Sequence, residues 1–340
     1  MPYSTSLHRS WRPLLGPLSL TTLVRLCTLN STNSFHFHPQ DVCDDLEYSR
    51  IARSFNQQAQ SAGVPAITSA GIYPGVSNLM AAEMVDADTD SEAESVSYFY
   101  FTAGSGGIGQ TILATSYHLC AEPVTVYRSD KKEIWDPATH RAVVDFGQGL
   151  KKRETFAYNL PEVSSTHDVL GVPNVDARFG TDPGIWNFAM VALARTFGSR
   201  LKDRLLSRRI AALSEPWVRA VDRIVGERVG MRVDVRFKNG RKAAGLYDHI
   251  SLSEGVGACT AAFACGMLEG LTQPGVWYPE HREAVADREQ LLERAAVGTE
   301  RFIINKAPFQ LSSEPKKLGM GIYVRAFAAQ FAFCVCTTLM

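Results

Sequence analysis

The stretch VSYFYFTAGSGGIGQTILATSYHL, residues 96–119, decides between two kinds of fold for this chain. An apolar strand pattern leads into Gly104, Gly106 and Gly109, and a helix pattern follows them. Glycines in this G-x-G-x-x-G spacing permit a tight turn and let helix N–H groups approach a pyrophosphate closely. The spacing predicts a dinucleotide-binding loop only where the surrounding strands and helices have the matching order.

The surroundings of these glycines meet one requirement of a dinucleotide fold and fail another. Asp130 lies 21 residues after Gly109, at the end of PVTVYR, where an acid that binds the ribose is expected. Residues 131–159 then read as short strands and turns instead of alternating strands and helices. The strand before the glycines is aromatic, whereas central parallel strands are usually rich in Val, Ile and Leu. We therefore favour a glycine turn in another type of α/β domain.

The segments before the glycines have clear local signatures. VPAITSAG (64–71) has the pattern of a buried strand, and GIYPGVSN (71–78) that of a turn. VSNLMAAEMV (76–85) has apolar residues at helical spacing, and Ser77 or Asn78 is placed to cap that helix. The sequence thus predicts a strand, a turn and a helix in succession.

The segments after residue 228 predict a hairpin and a buried helix. VGMRVDVRFKNGRKAAGLYDHI (229–250) alternates apolar and polar residues, and Asn239-Gly240 predicts a type I′ turn. EGVGACTAAFACGMLEG (254–270) predicts a closely packed helix, because Glu254 and Glu269 bracket a stretch too short to span a membrane.

Composition and charge predict a soluble protein with a sizeable core and no preference for polyanions. The 340 residues are 45% hydrophobic and 21% charged, with 35 Lys and Arg balanced by 35 Asp and Glu. The one basic stretch, RTFGSRLKDRLLSRR (195–209), predicts an amphipathic helix. Because Leu201, Leu205 and Leu206 need a core, a solvated basic face is favoured over a membrane or nucleic-acid surface.

Neither the cysteines nor the acidic run predicts a metal site. The seven cysteines are scattered and include no zinc-type pairs. Asp86, Asp88 and Asp90 alternate as in a calcium loop, but Ser91 replaces the required glycine and Ser97 the bidentate glutamate.

Both ends of the chain differ from the middle. Residues 1–40 contain no Asp or Glu before Asp41 and are rich in Ser and Thr, which is typical of an organellar transit peptide. That interpretation predicts a plastid or mitochondrial protein, whereas a wrongly assigned start leaves a cytoplasmic one. We expect residues 1–40 to be disordered or weakly helical, with little packing, and residues 325–340 to form an apolar extension.

Longer segments resemble the saccharopine dehydrogenase-like oxidoreductases of plants and algae. They occur in the family's order over residues 41–324, and several exceed ten residues. The segments are DVCDDLEYSR, VPAITSAGIYPGVSNLMAAEMV, FTAGSGGIGQTILATSY, NLPEV, LGVPNVDARFGT, WN, VRAVDRIVGERVGMRVDV, TQPGVWYPE and GTERFIINKAPF.

This resemblance implies an α/β fold: the remnant of a Rossmann domain at residues 41–94 and an α+β second domain, with a mixed sheet and helices, at 95–324. It places FTAGSGGIG in the second domain, where its glycines are structural or face the cleft. It implies hydride chemistry with NAD or NADP on a small-molecule substrate, and an assembly that can be a homo-oligomer.

The chain also departs from the family. In family members DVCDD follows most of a Rossmann domain, whereas here residues 1–40 contain no glycine loop. We therefore expect an oxidoreductase impaired in cofactor binding or, as the alternative, a non-catalytic truncated paralogue or gene fragment that acts in interactions.

Four residues are candidates for the substrate cleft, and none is assigned as catalytic. Tyr73, Ser77 and Asn78 lie in GIYPGVSN, which resembles the family's loop at the carboxyl end of a late Rossmann strand; turn and cap chemistry is the other interpretation. Arg178 in ARFGT can clamp a carboxylate with two hydrogen bonds. A structural ion pair is the alternative favoured for this arginine.

Overall fold

A computed structural model of the protein describes residues 38–104, 110–314, 316–318 and 322–324. The helices of these residues are α1 Leu46–Ser54, α2 Asn56–Ala62, α3 Val76–Asp86, α4 Gln110–Leu119, α5 Gly147–Leu150, α6 Pro161–Leu170, α7 Ile185–Phe197, α8 Arg204–Val225, α9 Leu252–Leu268 and α10 Arg288–Ala295, with 3₁₀ turns at Gly198–Lys202 and Pro308–Leu311. The strands are β1 Pro65–Ile67, β2 Ala93–Ala103, β3 Val124–Arg128, β4 Lys131–Trp135, β5 Thr139–Asp145, β6 Lys152–Ala157, β7 Asn174–Asp182, β8 Arg228–Phe237, β9 Lys242–His249, β10 Gly275–Trp277, β11 Arg301–Lys306, β12 Lys316–Leu318 and β13 Ile322–Val324.

Nine of these strands form one mixed sheet. Its main order is β11-β9-β8-β2-β7-β3-β4, and the β5–β6 hairpin joins it through pairing of β6 with β7. β2 is parallel to β7 and antiparallel to β8, while β3 is antiparallel to β7. The sequence-based prediction of an α/β fold with a mixed sheet and helices is confirmed.

A second, smaller sheet pairs distant parts of the chain. β1 and β10 run parallel, with Ile67 opposite Trp277, and Gln40 forms a parallel bridge to Ile67 on the other side. The predicted division of the chain at residue 94 stays a prediction. β10 comes from beyond that division and pairs with β1 before it.

The two faces of β2 pack against different layers. Tyr98 and Tyr100 are fully buried on the face covered by α3 and α6, in the main hydrophobic core. Phe101 points to the opposite face, where it packs against Phe146 and Leu150. Each such buried side chain contributes on the order of 1.5–3 kcal/mol to folding. The aromatic residues of β2 are thus explained by a strand buried on both faces.

The predicted hairpin is present, but its predicted turn type is wrong. Phe237 and Arg241 close a three-residue loop, with the Phe237 N–H donating to the Arg241 carbonyl at 2.9 Å and the Gly240 N–H to the Phe237 carbonyl at 2.9 Å. Only Gly240 has a positive φ, of 85°, whereas a type I′ turn needs two such residues. The loop is a type I turn followed by a left-handed glycine.

The predicted helix over residues 195–209 is also interrupted. α7 ends at Phe197, a 3₁₀ turn covers Gly198–Lys202, and α8 begins at Arg204. Leu201 is buried as expected, but Leu205 is 58% exposed, so the expectation that it needs a core is wrong. The expectations for residues 1–37, including the little packing predicted there, and for residues 325–340 lie outside the described residues. At the end of the predicted leader, Gln40 is half-buried and its side chain donates to the Ala70 and Thr260 carbonyls at 3.2 and 2.9 Å, so the expectation of little packing is wrong for that residue.

The corrected turn predicts the effect of Asn239→Pro. The Asn239 N–H donates to Ser91 Oγ at 3.1 Å, and proline removes this donor. Proline at this position also disfavours the helical conformation that Lys238 adopts in a type I turn. We expect a lower melting temperature for Asn239→Pro in calorimetry, with a smaller decrease for Asn239→Ala, which keeps the N–H. Equal melting temperatures for Asn239→Pro and wild type would mean that residues 238–241 form a loose loop.

Candidate functional site

The carboxyl ends of the small parallel sheet carry a group of polar residues. Asp41 follows the Gln40 bridge, and its Oδ1 accepts hydrogen bonds from the Ser69 N–H at 2.9 Å and the Thr68 hydroxyl at 3.2 Å. Thr68 and Ser69 directly follow β1 and are buried. Open parallel sheets bind ligands outside the carboxyl ends of their strands. A ligand site is therefore expected at this edge.

The loop beyond β1 turns tightly into α3. Gly75 precedes the helix with φ 136°, and a Cβ at this position would lie 2.0 Å from the Gly71 carbonyl oxygen. The Gly75 N–H donates to Asn78 Oδ1 at 2.9 Å, and the Ser77 hydroxyl donates to the same oxygen at 3.2 Å. Asn78 thus closes the start of α3 through Gly75, and neither Ser77 nor Asn78 is itself the N-cap residue.

The other end of the Asn78 amide binds a buried carboxylate. Its Nδ2 donates to Glu280 Oε1 and, at 3.1 Å, to Ser165 Oγ. Glu280 lies in the loop after β10 and is 1% exposed. Its Oε1 also accepts from Ser165 at 2.6 Å and from Thr166 at 3.4 Å. One carboxylate oxygen therefore joins α3, α6 and the small sheet.

A second buried carboxylate lies beside this network. Glu162, in the first turn of α6, is fully buried, and neither of its carboxylate oxygens has a partner of regular hydrogen-bond geometry among the described residues. The hydroxyl of Tyr100 lies near it and also lacks a regular partner there. Unpartnered buried polar groups are uncommon and often mark catalytic sites or bound water.

Burial raises the pKa of both acids. Desolvation is the main cause that raises the pKa of Glu162, to about 7, and the nearby charge of Glu280 raises it further. Desolvation also raises the pKa of Glu280, although the bonds from Ser165 and Asn78 oppose the shift. No ion pair neutralises either carboxylate within the described ranges. Glu162 can therefore gain or lose a proton near neutral pH.

Tyrosine rings cover the two acids. Tyr73 stacks on Tyr100, with ring centroids 4.5 Å apart, and the Tyr98 hydroxyl shares a hydrogen bond of 2.5 Å with Thr166. Burial raises the pKa of all three tyrosines, so their hydroxyls stay protonated at neutral pH. Three of the four predicted cleft residues, Tyr73, Ser77 and Asn78, are thus brought together around Glu162 and Glu280.

The fourth predicted residue, Arg178, lies elsewhere. It is on the opposite face of the large sheet, because it pairs across from Phe99 and not from Tyr98. Its guanidinium donates to Asp176 at 3.2 Å and to the His140 carbonyl at 3.0 Å. Arg178 therefore forms a structural ion pair and does not join the other three residues.

The glycine stretch and Asp130 are also far apart. Gly104 has a positive φ at the end of β2, and its N–H donates to the Asp182 carbonyl; Gly106 and Gly109 lie outside the described residues. Asp130 is in the β3–β4 turn, and β3 runs antiparallel to β7 and hence to β2. Asp130 is therefore near the start of β2, about 30 Å along the strand from Gly104. In this arrangement Gly104 and Asp130 cannot bind the pyrophosphate and the ribose of the same dinucleotide.

Neither of the two acids, nor the two hydroxyls that bind Glu280, was predicted as a site residue from the sequence. Glu162 and Glu280 each follow a proline, where an acid is normally a solvated residue of a turn or a helix start. Both acids lie in segments that resemble the family: Glu162 lies in NLPEV and Glu280 in TQPGVWYPE. That resemblance was the only signal that could have drawn attention to them.

The described part of the chain gives two further findings. It contains no group of three or more His, Cys, Asp or Glu side chains placed to hold a metal ion. Among the helices of that same part, none combines the length and apolar character needed to cross a bilayer.

Comparison with known proteins finds distant likeness among solved structures. No family model and no curated protein matches this chain. The apo histidine-tagged saccharopine dehydrogenase (L-Glu forming) from Saccharomyces cerevisiae is similar over 75% of this chain and 76% of its own, with 11% sequence identity and a TM-score of 0.47. This likeness is too low to transfer the fold or function of the yeast enzyme to this chain.

The protonation of Glu162 predicts a pH-dependent stability that Glu162→Gln changes. Because the pKa of Glu162 is raised on folding, its protonated form stabilises the native state at low pH, and that contribution is lost as pH rises to about 7. A shift of this size corresponds to about 3 kcal/mol. Denaturant unfolding of wild type between pH 5 and 8 should show this decline.

The glutamine variant stays neutral, so its unfolding free energy should fall less over the same pH range. Other titrating groups, such as Asp248, remain in both proteins and cancel in the difference. Parallel pH profiles for wild type and Glu162→Gln would contradict a native-state pKa near neutrality.

Proposed function

We propose that this chain is a saccharopine dehydrogenase-like, NAD(P)-dependent oxidoreductase whose reaction site lies at the carboxyl edge of the β1–β10 pair. The observation that carries the proposal is the hydrogen bond between Asn78 and Glu280, which are 202 residues apart. They belong to GIYPGVSN and TQPGVWYPE, two of the segments that resemble the family. Their direct contact at a strand edge suited to ligands supports a common functional origin for both segments.

In this proposal the protein's own residues hold the site's loops in place and exchange a proton. Glu280 fixes the start of α3 and the loop at Tyr73 through Asn78, and so acts as a positioning residue. Glu162 holds a proton near neutral pH, in reach of the Tyr100 hydroxyl. Oxidation of an amine or alcohol releases a proton along with the hydride, so a nearby acid with a pKa of about 7 suits such chemistry. A small-molecule acid or amine is the proposed substrate class.

We further propose that the residues of this chain bind NAD(P) weakly. The sequence contains one G-x-G-x-x-G stretch, and its partner acid by spacing, Asp130, lies at the opposite edge of the large sheet. The described residues therefore do not fit a dinucleotide held at Gly104.

A non-catalytic interaction protein is the second candidate function. The observation in its favour is an exposed apolar surface on α8, where Leu213 is 77% and Trp217 73% exposed. Large apolar side chains on a surface often mark contacts with other molecules.

A kinetic assay tests the proposed oxidoreductase. The purified chain is incubated with single amino acids or hydroxy acids and with NAD⁺ or NADP⁺ up to millimolar concentration, and absorbance at the reduced cofactor's band is followed. We expect slow, substrate-dependent reduction that does not saturate in cofactor at micromolar concentration. Glu280→Gln should lower the rate at least about tenfold, which corresponds to a loss of about 1.4 kcal/mol. The exposed Glu289→Gln is the matched control and should keep the rate.

Two results would contradict these proposals in different ways. Absence of reduction with every substrate, or an equal rate for Glu280→Gln and Glu289→Gln, would remove the reaction from this site. Micromolar cofactor binding that Gly106→Val and Asp130→Ala each weaken would instead assign the cofactor to the glycine stretch at residues 104–109.

A further inference from the structure

The outer surface of α8 combines apolar and basic side chains in a regular pattern. Leu205, Arg209, Leu213 and Trp217 follow one another at intervals of four residues, so they form one stripe along the helix. The three apolar members are 58%, 77% and 73% exposed. These four residues form the α8 stripe.

The opposite side of α8 is fixed to the protein. Ser207, Ala211 and Val218 are buried, and Ser214 Oγ forms a hydrogen bond of 2.7 Å with the Tyr117 hydroxyl of α4. The helix therefore cannot rotate to bury the α8 stripe without losing this packing. Leu213 and Trp217 are therefore exposed because the opposite side of α8 packs against the rest of the protein.

The helix that carries the α8 stripe has a net positive charge. Within Arg204–Val225 there are five arginines against Glu215 and Asp222, a net charge of +3 in a chain of net charge zero, and Glu215 is paired with Arg219. Arg208 and Arg209 are exposed beside and within the stripe. Two copies of this surface would bring like charges together, which disfavours self-association through it.

We propose that α8 binds the surface of an anionic lipid bilayer, with the α8 stripe in the interface and the arginines at the headgroups. Helices that lie in a membrane interface combine apolar residues such as Trp and Leu with Lys and Arg in this way. Nucleic acid also attracts basic helices, but contacts with phosphates do not require large exposed apolar side chains such as Leu213 and Trp217. The chain contacts the bilayer from one side and does not cross it.

Vesicle binding tests this proposal with the full chain. We expect co-sedimentation with vesicles of phosphatidylcholine that contain about 30% phosphatidylserine, weaker binding at high salt, and little binding to pure phosphatidylcholine. Leu213→Glu/Trp217→Glu and, separately, Arg208→Glu/Arg209→Glu should each weaken binding at least about tenfold. Leu268→Glu is the matched control, because Leu268 is 74% exposed at the end of α9, and it should bind as wild type does.

Circular dichroism and thermal melting establish that each variant remains folded. Equal binding to neutral and anionic vesicles, or wild-type binding by Leu213→Glu/Trp217→Glu, would overturn the proposal. So would a dimer in analytical ultracentrifugation that Leu213→Glu/Trp217→Glu dissociates, since the stripe then contacts a second copy. Binding of single-stranded DNA that depends on the arginines but not on Leu213 and Trp217, without vesicle binding, would assign the surface to nucleic acid.

Discussion

The hydrogen bond between Asn78 and Glu280 is the interaction on which the arrangement of the site depends. A carboxylate that is 1% exposed requires donors, and Asn78, Ser165 and Thr166 supply them from two helices. Because α3 leaves the small sheet and α6 packs on the large one, this single oxygen links the two sheets. Removing a donor from a buried charge costs more than the bond contributes when intact, so the geometry is strongly specified.

Glu280 also affects the second acid of the cluster. Burial is the main cause that raises the pKa of the Glu162 carboxyl to about 7, and the nearby charge of Glu280, which binds the hydroxyls of Ser165 and Thr166, raises it further. Two acids with different hydrogen-bond surroundings thus lie in one cluster. Many enzymes place two acids in different environments, so that one acid accepts a proton and the other donates one.

Local sequence patterns predicted the helices and strands, whereas long-range contacts determine which side chains meet at the site. β2, α3 and the β8–β9 hairpin follow from periodicity, and Asn78 was predicted because GIYPGVSN resembles the family's loop at the carboxyl end of a late Rossmann strand. Arg178 could not be placed, since alternation along β7 separates two faces without telling which one α6 covers. Glu280 could not be found locally, because its burial depends on donors more than a hundred residues away. The glycine stretch has the correct spacing for a dinucleotide loop, but the direction of β3 places Asp130 at the wrong edge.

A double-mutant cycle tests most directly whether Asn78 and Glu280 hold the site together. Unfolding free energies are measured in denaturant for wild type, Asn78→Ala, Glu280→Ala and the double variant, because alanine at either position removes the hydrogen bond. We predict a coupling energy of about 1.5–3 kcal/mol, the range for a hydrogen bond to a charged group. Additive effects of the two substitutions, within about 0.5 kcal/mol, would contradict a direct and structurally important bond between these residues.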